Sequence, residues 1–247
     1  MPGISRPAAA RREEHLLLAY PGRDIAVTAV TVVLTAAIFA AVASQGVLAH
    51  IQHLDNSWLQ LMDTHRSGPV TVFAKFLNLL GLVSVTLPVR IVITGYLALR
   101  RRWWHLAAFV VAIATSEALI GTLKGIYDRA RPPGSLVATS GASFPSGHSI
   151  AATVTVVAAV IALVPPGRRR AWWGAGAVVF SVLMALSRAY LAAHWLSDAI
   201  AGILLGTSCA LLAALVVGAL QRRWRGRHPG LAAPGPAPDV TQPADQR

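Results

Sequence analysis

Six stretches of this chain are almost wholly apolar: Ile25–Ala43, Phe76–Leu99, Trp103–Leu123, Gly147–Val164, Ala171–Leu186 and Leu196–Leu220. A helix needs about 20 such residues to cross the hydrocarbon of a bilayer, where every backbone polar group must be satisfied within the protein. Asp, Glu, Lys and Arg supply only 13% of the residues, about half of what a soluble domain carries. The expected fold is therefore all-α, a polytopic membrane bundle of six transmembrane helices. One domain spans residues 24–220, preceded by a segment 1–23 and followed by a tail 221–247 that is basic, then Pro/Ala-rich and expected to be disordered. Ala41-Val42-Ala43 has the form of a signal cleavage site. The apolar run that ends there exceeds the usual h-region of about 7–15 residues, so it reads as a retained first helix.

The formal charge of +12 does not point to nucleic acid, because the arginines stand in short blocks at the ends of apolar runs and form no basic face. Fifteen of the 22 Lys and Arg residues lie in the N-terminal segment, the 100–102 turn, the 168–170 turn and the tail. With six spans all four regions share one side, and the positive-inside bias makes that side, with both termini, cytoplasmic. Cys209 is the single cysteine, so no intrachain disulfide is possible. Residues 44–75, with His50, His53, Asp55, Asp63, His65 and Arg66 among Leu and Trp, read as an interfacial loop containing a short amphipathic helix. Its three histidines are read as wet surface residues, and no metal is expected there. Arg90 and Glu117 fall inside apolar runs at depths differing by about 6 Å. Burying either alone costs ~3 kcal/mol or more, so they are expected to pair, although Glu117, seven residues before Lys124 on the same helical face, would also fit beneath a site at the end of that run.

Three polar clusters stand at the ends of these runs. Lys124-Gly-Ile-Tyr-Asp-Arg-Ala-Arg131-Pro132 follows the third, Phe144-Pro145-Ser146-Gly147-His148-Ser149 opens the fourth, and Ser187-Arg188 through His194 to Asp198 joins the fifth to the sixth. His194 and Asp198 are four apart, a spacing that puts them on one face of a helix. A carboxylate on one ring nitrogen would fix the tautomer and free the other to attack or to accept a proton. Arg188 offers a planar fork of donors suited to phosphate or carboxylate.

In order, the clusters read K-x6-RP, PSGH and SR-x5-H-x3-D. In these motifs the chain resembles the type 2 phosphatidic acid phosphatase (PAP2) family, membrane lipid-phosphate phosphatases related to vanadium haloperoxidases. The resemblance covers roughly residues 50 to 220. It implies that His194 attacks phosphorus and becomes phosphohistidine, that His148 protonates the leaving oxygen and then activates water, and that Asp198 orients His194. Lys124, Arg131, Ser146, Gly147 and Arg188 would cradle the phosphate, with Gly147 at a helix start where free N–H groups favour anions. Three cations would replace a metal, so neither metal nor cofactor is expected. Arg129 and Asp128 lie outside the signature and read as loop electrostatics. The implied substrates are lipid phosphates reached from the bilayer: undecaprenyl or another polyprenyl diphosphate first, then phosphatidate or phosphatidylglycerophosphate. The Ala/Arg/Gly/Pro-rich usage fits a high-GC bacterium, where polyprenyl carrier recycling is the natural bet. With both termini cytoplasmic by the charge count, all three motifs are expected on the extracytoplasmic face of the inner membrane. A lipid phosphotransferase would use the same site. A haem or transport protein built on His148 and His194 would leave the three cations unexplained. No motif specifies an oligomeric state.

Overall fold

The computed structural model describes residues 15–18 and 21–228. Among them are eight helices: α1 (Pro21–Ala43), α2 (Gln45–Thr64), α3 (Gly68–Leu80), α4 (Val83–Leu99), α5 (Trp103–Tyr127), α6 (Gly147–Leu163), α7 (Arg168–Tyr190) and α8 (Leu196–Arg227). The fold is an all-α bundle with α6 at its centre, packed on α5, α7 and α8, while α1 lies along α8.

The expectation of six transmembrane helices is corrected. Among the described residues four helices (α1 from Gly22, α5, α7 and α8) are long and apolar enough to cross a membrane. A fifth span exists only if α3 and α4, bent by 49° at their break, count as one. The break falls at Gly81 and Leu82, inside the run read as a single second span. The supposed fourth span is α6, only 17 residues long. Ten of its residues are buried inside the protein, so its apolar character records packing against neighbouring helices rather than contact with lipid. The placement of both termini on the cytoplasmic side rested on six spans and falls with them. Residues 1–14, 19–20 and 229–247, which include most of the expected tail, lie outside the described residues.

The 44–75 segment is also not a loop. No proline lies between Gly22 and Gly68 to remove a helical donor, and α2 with the start of α3 occupies nearly all of it, broken only at 65–67. Asp55 is the buried residue of α2, and Leu54 and Leu61 are exposed.

Two glycines bring α6 and α8 into backbone contact. A Cβ on Gly202 would lie 2.7 Å from the Ser149 Cβ and 2.9 Å from the Ser146 carbonyl, and one on Gly206 would lie 2.9 Å from the Ile150 carbonyl. Small residues permit such approach where no hydrophobic effect drives helices together. The expected Arg90–Glu117 pair is present, with Nη1 2.6 Å from Oε1. Arg90 also donates to Thr155 Oγ1 at 2.9 Å and the Ala151 carbonyl at 3.3 Å, so one guanidinium joins α4, α5 and α6. The last turns of α5 and α7 and the first turns of α6 and α8 carry Lys124, Arg188, Gly147 and Asp198.

Candidate active site

A cavity of about 350 Å³ opens among those helix ends. Six of the eight expected residues line it: Lys124, Arg131, Gly147, His148, Arg188 and His194, with Ala138, Thr139 and Ser140 closing the wall. Ser146 and Asp198 do not line it.

His194 lies before α8, in the turn that follows α7, with Trp195 as the N-cap. It does not share a helix face with Asp198, as the spacing had implied. Its Nδ1 is 2.7 Å from the Ser143 carbonyl, while the Asp198 carboxylate stands 3.7 Å away. A carbonyl oxygen only accepts, so Nδ1 carries the hydrogen and Nε2 keeps its lone pair. Arg131 Nη1 donates toward that Nε2 at 3.3 Å. Burial pushes the His194 pKa down to about 4, helped by Arg188 and Arg131 and opposed by Asp198. The imidazole is neutral through the physiological range.

Asp198 is fully buried at the third position of α8 and accepts the Trp195 N–H at 3.0 Å, half of a capping box. It also accepts from the Ser143 hydroxyl and, at 2.6 Å, from Arg129 Nη1. Ser146 caps α6, its hydroxyl accepting from the Ser149 N–H, which leaves the first N–H groups of α6 beside the cavity. A Cβ on Gly147 would stand 4.0 Å from Lys124 Cε.

The three cations are held by neutral groups. Lys124 Nζ donates to the Ala142 carbonyl at 2.5 Å. Arg131 donates to the carbonyls of Ala193 at 2.6 Å, Ser140 at 2.7 Å and Gly141 at 2.9 Å. Arg188 donates to Asn78 Oδ1, at the end of α3. Among the described residues no carboxylate ion-pairs with any of them, so their charge is available to an anion in the cavity. Opposite, His148 is pressed by the α3–α4 elbow: a Cβ on Gly81 would meet its Cδ2 at 2.6 Å. His148 Nε2 is buried without a hydrogen-bond partner among the described residues.

Sequence reasoning missed Arg129, Asp55, Ser143 and Asn78. Arg129, 9% exposed, reaches Asp198 from one side and Asp55 (2.8 Å) and Gln52 (2.7 Å) from the other. Only the rule that a buried guanidinium needs acidic partners could have flagged it. Those partners stand 69 and 74 residues away, beyond any local pattern. No group of three or more His, Cys, Asp or Glu among the described residues is placed to hold a metal ion.

Residues 105–222 match the sequence profile of the PAP2 superfamily. Phosphatidylglycerophosphatase B of Bacillus subtilis (strain 168) is 34% identical over 134 residues, which make up 51% of this chain and 65% of that protein. The chain thus matches a little under two thirds of the length of this relative. The crystal structure of a transmembrane PAP2 type phosphatidylglycerolphosphate phosphatase from Bacillus subtilis superposes with a TM-score of 0.66 at 25% identity, over 79% of this chain and 96% of that one. Aquifex aeolicus LpxE superposes with a TM-score of 0.54 at 22% identity, over 65% and 94%.

Proposed function

We propose that this chain, which has the fold of a PAP2-superfamily membrane lipid phosphatase, hydrolyses the phosphate of a membrane lipid through a phosphohistidine on His194. The observation that carries this reading is an imidazole nitrogen, left with its lone pair, opening into a cavity whose three cations have no carboxylate in an ion pair with them among the described residues. Phosphoryl transfer asks for positioning and charge stabilisation more than for covalent machinery.

Lys124, Arg131, Arg188 and the α6 N-terminus hold the phosphoryl oxygens. His194 Nε2 attacks phosphorus, the P–N bond forms as the ester or anhydride P–O bond breaks, and the leaving oxygen takes a proton from His148. Water then attacks the phosphoryl group and gives its proton back to His148. The P–N bond breaks, and inorganic phosphate leaves with His194 restored. Burial, and after it the surrounding cations, lower the His148 pKa to about 3 in the free site, so in this reading the proton it gives the leaving oxygen is held only against the bound phosphate itself.

Substrate identity belongs to the same proposal. Polyprenyl diphosphate, phosphatidate and phosphatidylglycerophosphate all fit a phosphate cradle that opens beside apolar helices. The likeness to phosphatidylglycerophosphatase B favours the last. The arginine blocks at 100–102 and 168–170 lie at the far ends of α5 and α7 from the cavity. By the positive-inside bias this supports an extracytoplasmic site.

The test is phosphate release by detergent-solubilised protein with EDTA present, on all three lipids and with water as sole acceptor. Wild type is expected to release phosphate and to form an acid-labile phosphoenzyme, and His194→Ala to lose at least about a thousandfold in rate. Turnover that survives His194→Ala would overturn the mechanism. No release with water as sole acceptor, but transfer once a second lipid is added, would make the protein a phosphotransferase.

A further inference from the structure

We infer that Arg129 and Asp55 are positioning residues for the His194 nucleophile, acting through Asp198 and Ser143; the inference rests on the phosphatase reading above. Neither residue lines the cavity.

Arg129 holds both groups that hold His194. Its guanidinium donates to Asp198 Oδ1 at 2.6 Å, and its backbone carbonyl accepts the Ser143 N–H at 2.7 Å. Ser143 in turn gives its hydroxyl to Asp198 Oδ2 and its carbonyl to His194 Nδ1. A shift of Arg129 therefore moves the acceptor that sets the His194 tautomer and the carboxylate beside it together.

Asp55 holds Arg129 from α2. Its Oδ2 accepts from Arg129 Nη2 at 2.8 Å and from the Ser197 hydroxyl at 2.6 Å, and its Oδ1 accepts the Ser197 N–H at 2.9 Å. The Asp55–Ser197 bonds alone would fasten α2 to α8. The second arm of Arg129, reaching Asp198, extends the link to the nucleophile. All three charges are buried, at 2% exposure for Asp55, 9% for Arg129 and 0% for Asp198. At that depth one guanidinium shared by two carboxylates is felt strongly by any neighbour. The charged and titratable groups facing His194 are Asp198 from α8, Arg188 from α7, His148 from α6 and Arg131 from the loop after α5. Arg129 governs the first.

The two charges should act on His194 with opposite sign. With Asp55→Asn, more of the Arg129 charge falls on Asp198, and the His194 titration midpoint moves down. With Arg129→Gln, Asp198 faces His194 unopposed, and the midpoint moves up. The experiment measures kcat and KM for lipid phosphate hydrolysis, and the His194 midpoint by NMR of histidine-labelled protein in micelles, assigned with His194→Gln. Expected are a fall in kcat of at least about tenfold in each folded variant, KM within about twofold, and midpoint shifts in opposite directions. If Arg129→Gln does not fold, Asp55→Asn, which keeps the shape but removes the charge together with one of the two acceptor oxygens, decides alone. Unchanged kcat, a rise in KM alone, or a fall in kcat with the midpoint unmoved assigns the pair to fastening α2 to α8 and overturns the inference. A wild type without phosphatase activity overturns the functional reading instead, and the midpoint shifts still decide this one.

Discussion

At the scale of the residue, the site depends on keeping one imidazole neutral and another in place. On the proposed mechanism, kcat/KM of the free enzyme requires unprotonated His194, whose pKa burial and two arginines lower to about 4. Corrected for ionisation of the substrate phosphate, the acid limb is expected near pH 4 rather than near the usual histidine value of about 6.5, with activity lost as pH falls through it. A pH–rate profile checks this. His148 depends instead on the absence of a side chain at position 81. Gly81→Ala should push its ring aside and lower kcat by about tenfold to a hundredfold, with some loss of thermal stability, since the added carbon meets the buried ring at 2.6 Å and the His148 Cβ, fixed to α6, at 3.2 Å. The cavity residues were legible in the sequence because each stands at a helix end inside a compact motif. The Ser143 carbonyl was not, because a backbone acceptor has no sequence signature, and spacing alone credited Asp198 with the bond that Ser143 makes.

At the scale of the element, the contact between α6 and α8 and the three-helix grip of Arg90 are the features most exposed to mutation. Gly206→Val should cost about 1–3 kcal/mol, because the added carbons meet the Ile150 carbonyl rather than a movable side chain. Gly174→Ala on α7, where nothing lies within 4 Å, should be neutral or stabilising. Thermal unfolding in detergent separates the two. Arg90→Leu should lower the melting temperature by several degrees, since Thr155 and the Ala151 carbonyl lose a donor. Glu117→Gln should also lower it, because the half of Glu117 left exposed on a spanning helix faces lipid rather than water, and its loss leaves the Arg90 charge without its carboxylate. Every long apolar run proved to be helical. What hydrophobicity could not separate was a helix bathed in lipid from one wrapped in protein, which is why α6 was counted as a span. The polar residues of 44–75 hid α2 for the converse reason: Asp55 and Gln52 look like loop residues until their partner Arg129 is in view.

At the scale of the whole molecule, the cavity and the arginine turns occupy opposite ends of α5 and α7. In intact cells a membrane-impermeant thiol reagent is expected to label Thr139→Cys, at the cavity wall, and to spare Arg101→Cys until the membrane is opened. The reverse pattern would invert the proposed orientation. The native Cys209 is buried and gives a low background. The two glycines that seat α8 against α6 also divide the chain into parts with different evolutionary freedom. The α6 N-terminus that faces the cavity and the first turn of α8, which carries Asp198, belong to two helices touching through bare backbone, where almost any new side chain separates them. The elbow between α3 and α4 meets the site through side chains instead, the His148 ring against Gly81 and the Asn78 amide on Arg188. Sequence drift is therefore expected to be purged at 202 and 206 and tolerated along the outer face of α4, so that descendants of this chain would change at the bilayer-facing surface long before the seam beneath the cavity.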